Sequence, residues 1–144
     1  MRLSVYTPEN SQQLLIDLKK LYQNYLSEDQ LTDTALQSWI ESEQSEVFIT
    51  LFNARHLGAV QVVIEENEAV LSRLCVRDIT RRRGVAKNLL KEVEGQLSER
   101  RVTLSKMFID DISEQEKAGL SLFMGACGYQ LIEGVFTKEL LESN

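Results

Sequence analysis

The stretch from Leu71 to Val93, LSRLCVRDITRRRGVAKNLLKEV, joins an apolar run to an amphipathic one across three consecutive arginines and a glycine. Leu71 to Val76 is short and apolar, the pattern of a strand. Beyond Gly84, residues Val85, Leu89, Leu90, Val93 and Leu97 recur at three-to-four residue spacing, with Lys87, Lys91, Glu92 and Glu94 on the other side. That spacing predicts a helix with one buried face, starting at or just before Gly84. A helix start leaves its first amide N–H groups without carbonyl partners and concentrates partial positive charge there, so it can take a phosphate by backbone alone. Arg81, Arg82 and Arg83 reinforce that field. Gly84 lacks a Cβ, so the backbone can take φ > 0 or approach a ligand closely, and the small Ala86 keeps the next turn open. The segment predicts an anion site.

Charge and composition restrict what that anion belongs to. At 144 residues and 43% hydrophobic, the chain is long enough to bury a full core as one globular domain, residues 1–144. A formal net charge of −6 argues against nucleic acid or an anionic membrane as the main partner. The basic cluster from Arg77 to Arg83 stands out against it, as a solvated charge run or as a ligand site. Gly84 and the helix directly behind it favour the ligand. No apolar run approaches the roughly 18 residues of a membrane span, and Met1 to Pro8 lacks the basic start and apolar centre of a signal peptide. A cytoplasmic location is the expectation. Cys75 and Cys127 have no metal-like spacing, and Cys75 falls in an apolar strand; two buried free thiols are expected rather than a disulfide. No Ser-His-Asp, zinc or paired-carboxylate constellation is present, and no metal is expected.

Along the chain, Arg2 to Thr7 alternates like a strand. Asn10 or Ser11 can cap a helix carrying Leu14, Leu15, Leu18, Leu21 and Tyr22, and Thr32 or Asp33 a second carrying Leu36, Trp39 and Ile40. Val47 to Asn53, His56 to Ile64 and Ala69 to Val76 are three runs of β-branched and apolar residues. Short polar breaks separate them, so they are predicted as antiparallel hairpin neighbours. Val102 to Ile109 reads as a strand and Ser113 to Cys127 as a helix. Tyr129 to Glu133 with Val135 to Leu140 reads as a last hairpin. The predicted order is β-α-α-β-β-β-α-β-α-β-β.

The motif V-R-x-x-x-R-R-x-G-x-A after a strand, together with that order, is similar to the Gcn5-related N-acetyltransferase (GNAT) superfamily, whose pyrophosphate loop is matched by Arg81, Gly84 and Ala86. The resemblance covers nearly all of the chain. It implies an α/β GNAT fold: a mixed, mostly antiparallel sheet with helices on both faces, in which the strands at Leu71 to Val76 and Val102 to Ile109 run parallel and splay apart. It implies acetyl-CoA or CoA as cofactor, with the pantetheine amides serving as a missing strand. Carried onto this chain, Leu74, Cys75 and Val76 offer main-chain contacts to pantetheine. Arg81, Arg82, Arg83, Gly84, Val85, Ala86 and Lys87 form the pyrophosphate loop, and the helix start from Gln115 through Lys117 to Ala118 lines the far side of the groove.

Acetyl transfer to an amine needs a base for the ammonium and an acid for the departing thiolate. Many members of the superfamily take the acid from a tyrosine four residues ahead of a glycine. Here that position, in FMGACGY, holds Met124, and a thioether cannot donate a proton. Tyr129 falls where the family has a strand-starting aromatic and is expected in the core. Candidate bases are Glu65, Glu66 and Glu68, foremost Glu66 and Glu68, at the start of the strand leading to the phosphate loop; a solvated polar turn is the competing expectation, since nothing shows the burial that raises a pKa. The lone His56, beside Asn53-Ala54-Arg55, is expected as a turn residue.

Within the superfamily, LCVRDITRRRGVAKNLLKEV, FNARHLGAV and FMGACGY resemble the PanZ/PanM type, including the methionine at 124. Members of that type bind acetyl-CoA or CoA and associate with the aspartate decarboxylase zymogen, promoting its self-cleavage and restraining the enzyme when CoA is abundant. The resemblance implies a cofactor that is sensed rather than consumed, with Asn53 and Arg81 facing the decarboxylase. The chain departs from the type at Leu51, where an interface arginine is expected, in a longer segment from Asp29 to Ser45, and in Ala86 for glycine. A true N-acetyltransferase acting on a small amine or protein amino group is the alternative.

Overall fold

The computed structural model describes residues 3–53, 55–77, 84–111 and 114–140, with backbone alone at 111 and 114–116. Strand β1 (Ser4–Tyr6) is followed by α1 (Gln12–Leu21) and α2 (Asp33–Glu41), with a 3-10 turn at Glu28–Leu31 between them. Then come β2 (Glu46–Phe52), β3 (Arg55–Glu65), β4 (Glu68–Val76), α3 (Val85–Glu99), β5 (Leu104–Phe108), α4 (Glu114–Ala126), β6 (Gln130–Ile132) and β7 (Val135–Glu139). The element order matches the expectation. Helix starts follow from their caps: the Ser11 hydroxyl accepts from the Leu14 amide, and Thr32 from Ala35.

The seven strands form one sheet in the order β1-β2-β3-β4-β5-β7-β6, antiparallel except for β4 against β5. The last hairpin closes through Glu133 and Gly134, both at positive φ (50° and 81°), the two-residue turn whose twist suits paired strands. Strand β7 lies beside β5, and β6 takes the edge. Strands β1, β5, β6 and β7 are shorter than predicted, β2 is shifted by one residue, and β3 and β4 are slightly longer. Ile109 leaves β5 for a 3-10 turn, where its amide donates to the Gly134 carbonyl (3.0 Å).

The central strands are buried on both faces, which is why β2 and β3 read as continuous apolar runs. On one face Phe48, Val60, Val62, Ala69 and Leu71 meet Leu89, Leu90, Val93 and Leu97 of α3. On the other, Val47, Ile49 and Ala59 meet Leu14, Leu18, Leu36 and Trp39 of α1 and α2. Each fully buried leucine contributes about 1.5–3 kcal/mol. One side chain assigned to the polar face of α3 is inside: Glu94 is buried, accepting from the Tyr129 hydroxyl (2.7 Å) and the Lys138 ammonium (2.7 Å). Those two donors make a buried carboxylate tolerable. Cys75 and Cys127 are free thiols, as expected, but half-buried rather than buried.

Candidate functional site

The parallel pairing of β4 with β5 is short. Glu68 faces Leu104, Ala69 faces Ser105 and Val70 faces Lys106, and the base is extended by the Thr103 amide donating to the Asn67 carbonyl (2.8 Å). From Leu71 to Val76 no rung joins β4 to β5. At about 3.3 Å per residue the two strands diverge along roughly 20 Å of β4.

A bulge bends β4 at that point. Ala59 pairs with Cys75 but Gln61 with Ser72, so β4 carries one residue more than β3, and Arg73 sits at φ 54°. The bulge is held from the α1–α2 face: the Tyr22 hydroxyl donates to the Arg73 carbonyl (2.6 Å), and the Cys75 thiol to the Leu21 carbonyl (3.1 Å). The Arg73 guanidinium lies over the Trp39 ring, 4.8 Å from its centroid. Trp39 Nε1 donates to Gln61 Oε1 (2.6 Å), and Gln61 Nε2 to Ser72 Oγ (2.9 Å). Around these side chains is a cavity of about 350 Å³. The sequence reading missed the bulge; its one local signal is Ser72-Arg73 interrupting an otherwise apolar strand.

Helix α3 begins beside the end of β4, because Val85 packs against Val76 and Leu57. Gly84 is its N-cap at φ 75°, ψ 13°, a left-handed conformation natural to glycine, and among the described residues a Cβ placed there would have no atom beyond its chain neighbours within 4 Å. No side chain among the described residues caps α3; its first backbone bond runs from the Asn88 amide to the Gly84 carbonyl (2.9 Å). The amides of Val85, Ala86 and Lys87 therefore head a 15-residue helix, with the Lys87 side chain exposed beside them. Leu74, Cys75, Val76, Gly84, Val85, Ala86 and Lys87 come together at one end of the splay. Arg81, Arg82 and Arg83 lie outside the described residues. Lys117 is half-buried on α4; Gln115 is described by its backbone alone, in the first turn.

The candidate acid–base residues are placed less favourably for proton transfer. Met124 is fully buried in the core. Tyr129 is buried too, its hydroxyl 2.8 Å from Ser105 Oγ and donating to Glu94; burial first, then the Glu94 charge, pushes its pKa far up. Burial likewise raises Tyr22 well above the ordinary range. Glu65 is exposed at the end of β3 and Glu66 in the turn that follows, and Glu68 pairs with Lys106 (3.0 Å) at the closed end of the strands. Asn53 is exposed in the β2–β3 turn at φ 49°. His56 is not a turn residue. It lies within β3, 9% exposed, with Nδ1 2.5 Å from Asp17 Oδ2 on α1, a contact between residues far apart in the sequence. Among the described residues, no three His, Cys, Asp or Glu side chains gather as a metal set, and no helix is long and apolar enough to cross a membrane.

The PanZ acetyltransferase (GNAT) domain model matches residues 4–137. The chain is 31% identical to the PanD regulatory factor of Salmonella typhimurium over 130 residues, 90% of this chain and 92% of that protein. It is 30% identical to the PanD regulatory factor of Escherichia coli over 139 residues, 96% of this chain and 99% of that one. Among solved structures it is similar to YhhK of E. coli bound to coenzyme A, with a TM-score of 0.79 and 31% identity over 96% of this chain and 99% of that chain. An aminoglycoside 6'-N-acetyltransferase complexed with coenzyme A, 10% identical with a TM-score of 0.79, shares the fold.

Proposed function

We propose that this chain, which belongs to the PanZ family of GNAT domains, is a CoA-binding regulator of aspartate decarboxylase (PanD) that promotes the zymogen's self-cleavage and restrains the enzyme when CoA is abundant. The observation that carries the reading is a retained cofactor frame with an inert acid position: a left-handed Gly84 heading α3, with no side-chain cap among the described residues, beside the open edge of β4, and a fully buried Met124.

The frame suits CoA. Pyrophosphate oxygens would accept from the amides of Val85 to Lys87, with Arg81 to Arg83 and Lys87 supplying charge. The pantetheine amides would meet the main chain of Leu74 to Val76, while Gln115 and Lys117 would line the opposite wall. When bound, acetyl-CoA supplies an activated thioester. At the position where many members of the superfamily carry the acid this chain has a buried thioether with no proton, and the buried Tyr129 hydroxyl is committed to Glu94. Binding is thereby kept without an evident proton donor for the thiolate. Asn53, with Arg81, faces the decarboxylase in this reading, and the cytoplasm, where both CoA and its synthesis reside, is the location.

The test is calorimetric titration with acetyl-CoA and with CoA, alone and with the decarboxylase precursor, while precursor cleavage is followed. Tight binding with accelerated cleavage is expected. Binding without complex formation or cleavage, accompanied by thiol release with an amine acceptor, would replace the regulator with an N-acetyltransferase.

A further inference from the structure

Helix α3 carries the phosphate frame and is seated on one half of the sheet. Its leucines pack on β2, β3 and β4, and just past its end the Arg100 guanidinium donates to both carboxylate oxygens of Glu46 on β2 (2.8 and 2.7 Å). Gln96 Nε2 donates to the Val5 carbonyl of β1 (3.3 Å). The other half of the sheet, β5, β7 and β6, meets β4 at Glu68, Ala69 and Val70, and the middle rung pairs Ala69 with Ser105. Ser105 in turn pairs with Lys138 of β7, so Ala69, Ser105 and Lys138 form one row across the two halves. Directly paired residues share a face of the sheet, and Ala69 belongs to the core under α3.

Glu94 of α3 reaches that row. One of its carboxylate oxygens accepts from Lys138 Nζ (2.7 Å) and the other from the Tyr129 hydroxyl (2.7 Å). Tyr129 gives its only hydroxyl proton to Glu94, so across their 2.8 Å contact the Ser105 hydroxyl is the donor. Lys138 also donates to the Cys127 carbonyl just past α4 (2.9 Å). One carboxylate thus gathers β5, β7, the residue leading into β6 and the end of α4, all from the half on which α3 is not seated. Ser105, Tyr129 and Glu94 are buried, so water offers little substitute for these bonds. Apolar contacts are non-directional and survive a small slide, whereas a buried carboxylate loses stabilisation as soon as its donors move out of line.

The place of this network decides what it controls. It lies at the rungs from which the two halves diverge. Beyond them β4 continues through Leu71 to Val76 with no rung to β5, so a rotation of about 5° at the rungs moves the far end by roughly 2 Å over about 20 Å of strand. That is a large part of the roughly 4.8 Å that separates paired strands. We propose that Glu94 is a positioning residue for the cofactor groove: by holding Ser105, Tyr129 and Lys138 against α3 it sets the angle between the two halves, and with it the width that a pantetheine arm must fit. The proposal rests on the CoA reading for the identity of the ligand.

Two measurements test it. Glu94→Gln keeps the shape of the side chain, removes the charge that holds Lys138 and turns an amide donor toward another donor. Titration calorimetry is expected to find acetyl-CoA bound at least tenfold more weakly by this variant. The nucleotide diphosphate portion of CoA, which lacks the pantetheine arm and needs only the head of α3, is expected to change less than twofold. Equal acetyl-CoA affinity in variant and wild type, or a parallel fall for both ligands, overturns the proposal. Ser105→Ala removes the β5 link and leaves Glu94 paired with Lys138 and Tyr129; it is expected to show the same split, at least threefold, and decides the matter if Glu94→Gln does not fold. The second measurement needs no ligand. Residual dipolar couplings of the backbone amides are expected to fit a single arrangement of the two halves in the wild type, and in Glu94→Gln to fit only after β5, β6 and β7 are reoriented relative to β2 and β3. Couplings that fit the wild-type arrangement in both proteins overturn the proposal. A wild type that binds neither ligand would remove the CoA reading, and the dipolar couplings alone would then decide whether Glu94 sets the angle.

Discussion

Replacing Gly84 by aspartate and, separately, by asparagine isolates the electrostatic part of cofactor binding. The two side chains have the same shape, and both tolerate the left-handed backbone better than other residues. Since among the described residues a Cβ at position 84 meets no atom beyond its chain neighbours, the folding cost is that of the backbone conformation, about 1 kcal/mol, or a Tm lowered by a few degrees. Toward the ligand the two differ sharply. A carboxylate about 6 Å from a pyrophosphate carrying two charges is opposed by about 1.4 kcal/mol in water-like surroundings and by about 5.5 kcal/mol at an effective dielectric of 20. A middle value near 3 kcal/mol corresponds to roughly a hundredfold loss of affinity. Titration calorimetry with acetyl-CoA is expected to find Gly84→Asp about a hundredfold weaker than Gly84→Asn, with the gap narrowing as salt is added. Equal affinities in the two variants at similar Tm would refute the placement of the pyrophosphate at the head of α3.

Tyr22→Phe removes the 2.6 Å bond to the Arg73 carbonyl and leaves a buried acceptor short of a donor; a stability loss of about 1–3 kcal/mol in urea and weaker acetyl-CoA binding are expected. If binding is unchanged, the bulge does not shape the groove. Met124→Tyr forces a larger ring and a hydroxyl into a fully buried site, so about 1–3 kcal/mol of destabilisation and no thiol release with amine acceptors are expected; measurable turnover would count against the regulator reading. Alkaline pH should unfold the chain in a defined way. Tyr22 and Tyr129 keep their protons when folded, whereas an unfolded tyrosine loses its own near pH 10. The folded state then binds more protons, so the stabilising contribution is complete below pH 10 and declines above it by about 1.4 kcal/mol per pH unit for each group. Urea midpoints compared across pH 9 to 11 should decline less steeply in Tyr129→Phe, and an identical slope would dismiss Tyr129 as a contributor.

Features governed by near neighbours were legible in the sequence. Ser11 and Thr32 cap their own helices, the leucines of α1 and α3 repeat at helical spacing, and Gly84 announces a backbone conformation before a helix. What escaped depends on partners remote along the chain. Glu94 is inside because Tyr129 and Lys138 reach it, and its position on α3 alone gives no hint of either. His56 is buried because Asp17 is there to receive it. The β4 bulge requires Tyr22 and is accompanied by Trp39, both from helices packed on the far face. The identity of the family came from the loop, whereas the row of Ala69, Ser105 and Lys138 beneath Glu94 became visible only when β4, β5 and β7 were set side by side.

The shortness of the β4–β5 contact has a mechanical consequence. Through main-chain pairing, strands β1 to β4 and strands β5, β7 and β6 are coupled only by a few rungs at one end, like two leaves on a single hinge. A molecule that hydrogen-bonds along the open edge of β4 while touching α4 would fasten the leaves at the other end. Amide exchange in β5 and β7 should then slow when the cofactor binds, although neither strand belongs to the phosphate site. A protein that rests on both leaves at once would feel one stiff surface with cofactor and two loosely jointed ones without it, and so could sense a metabolite it never touches.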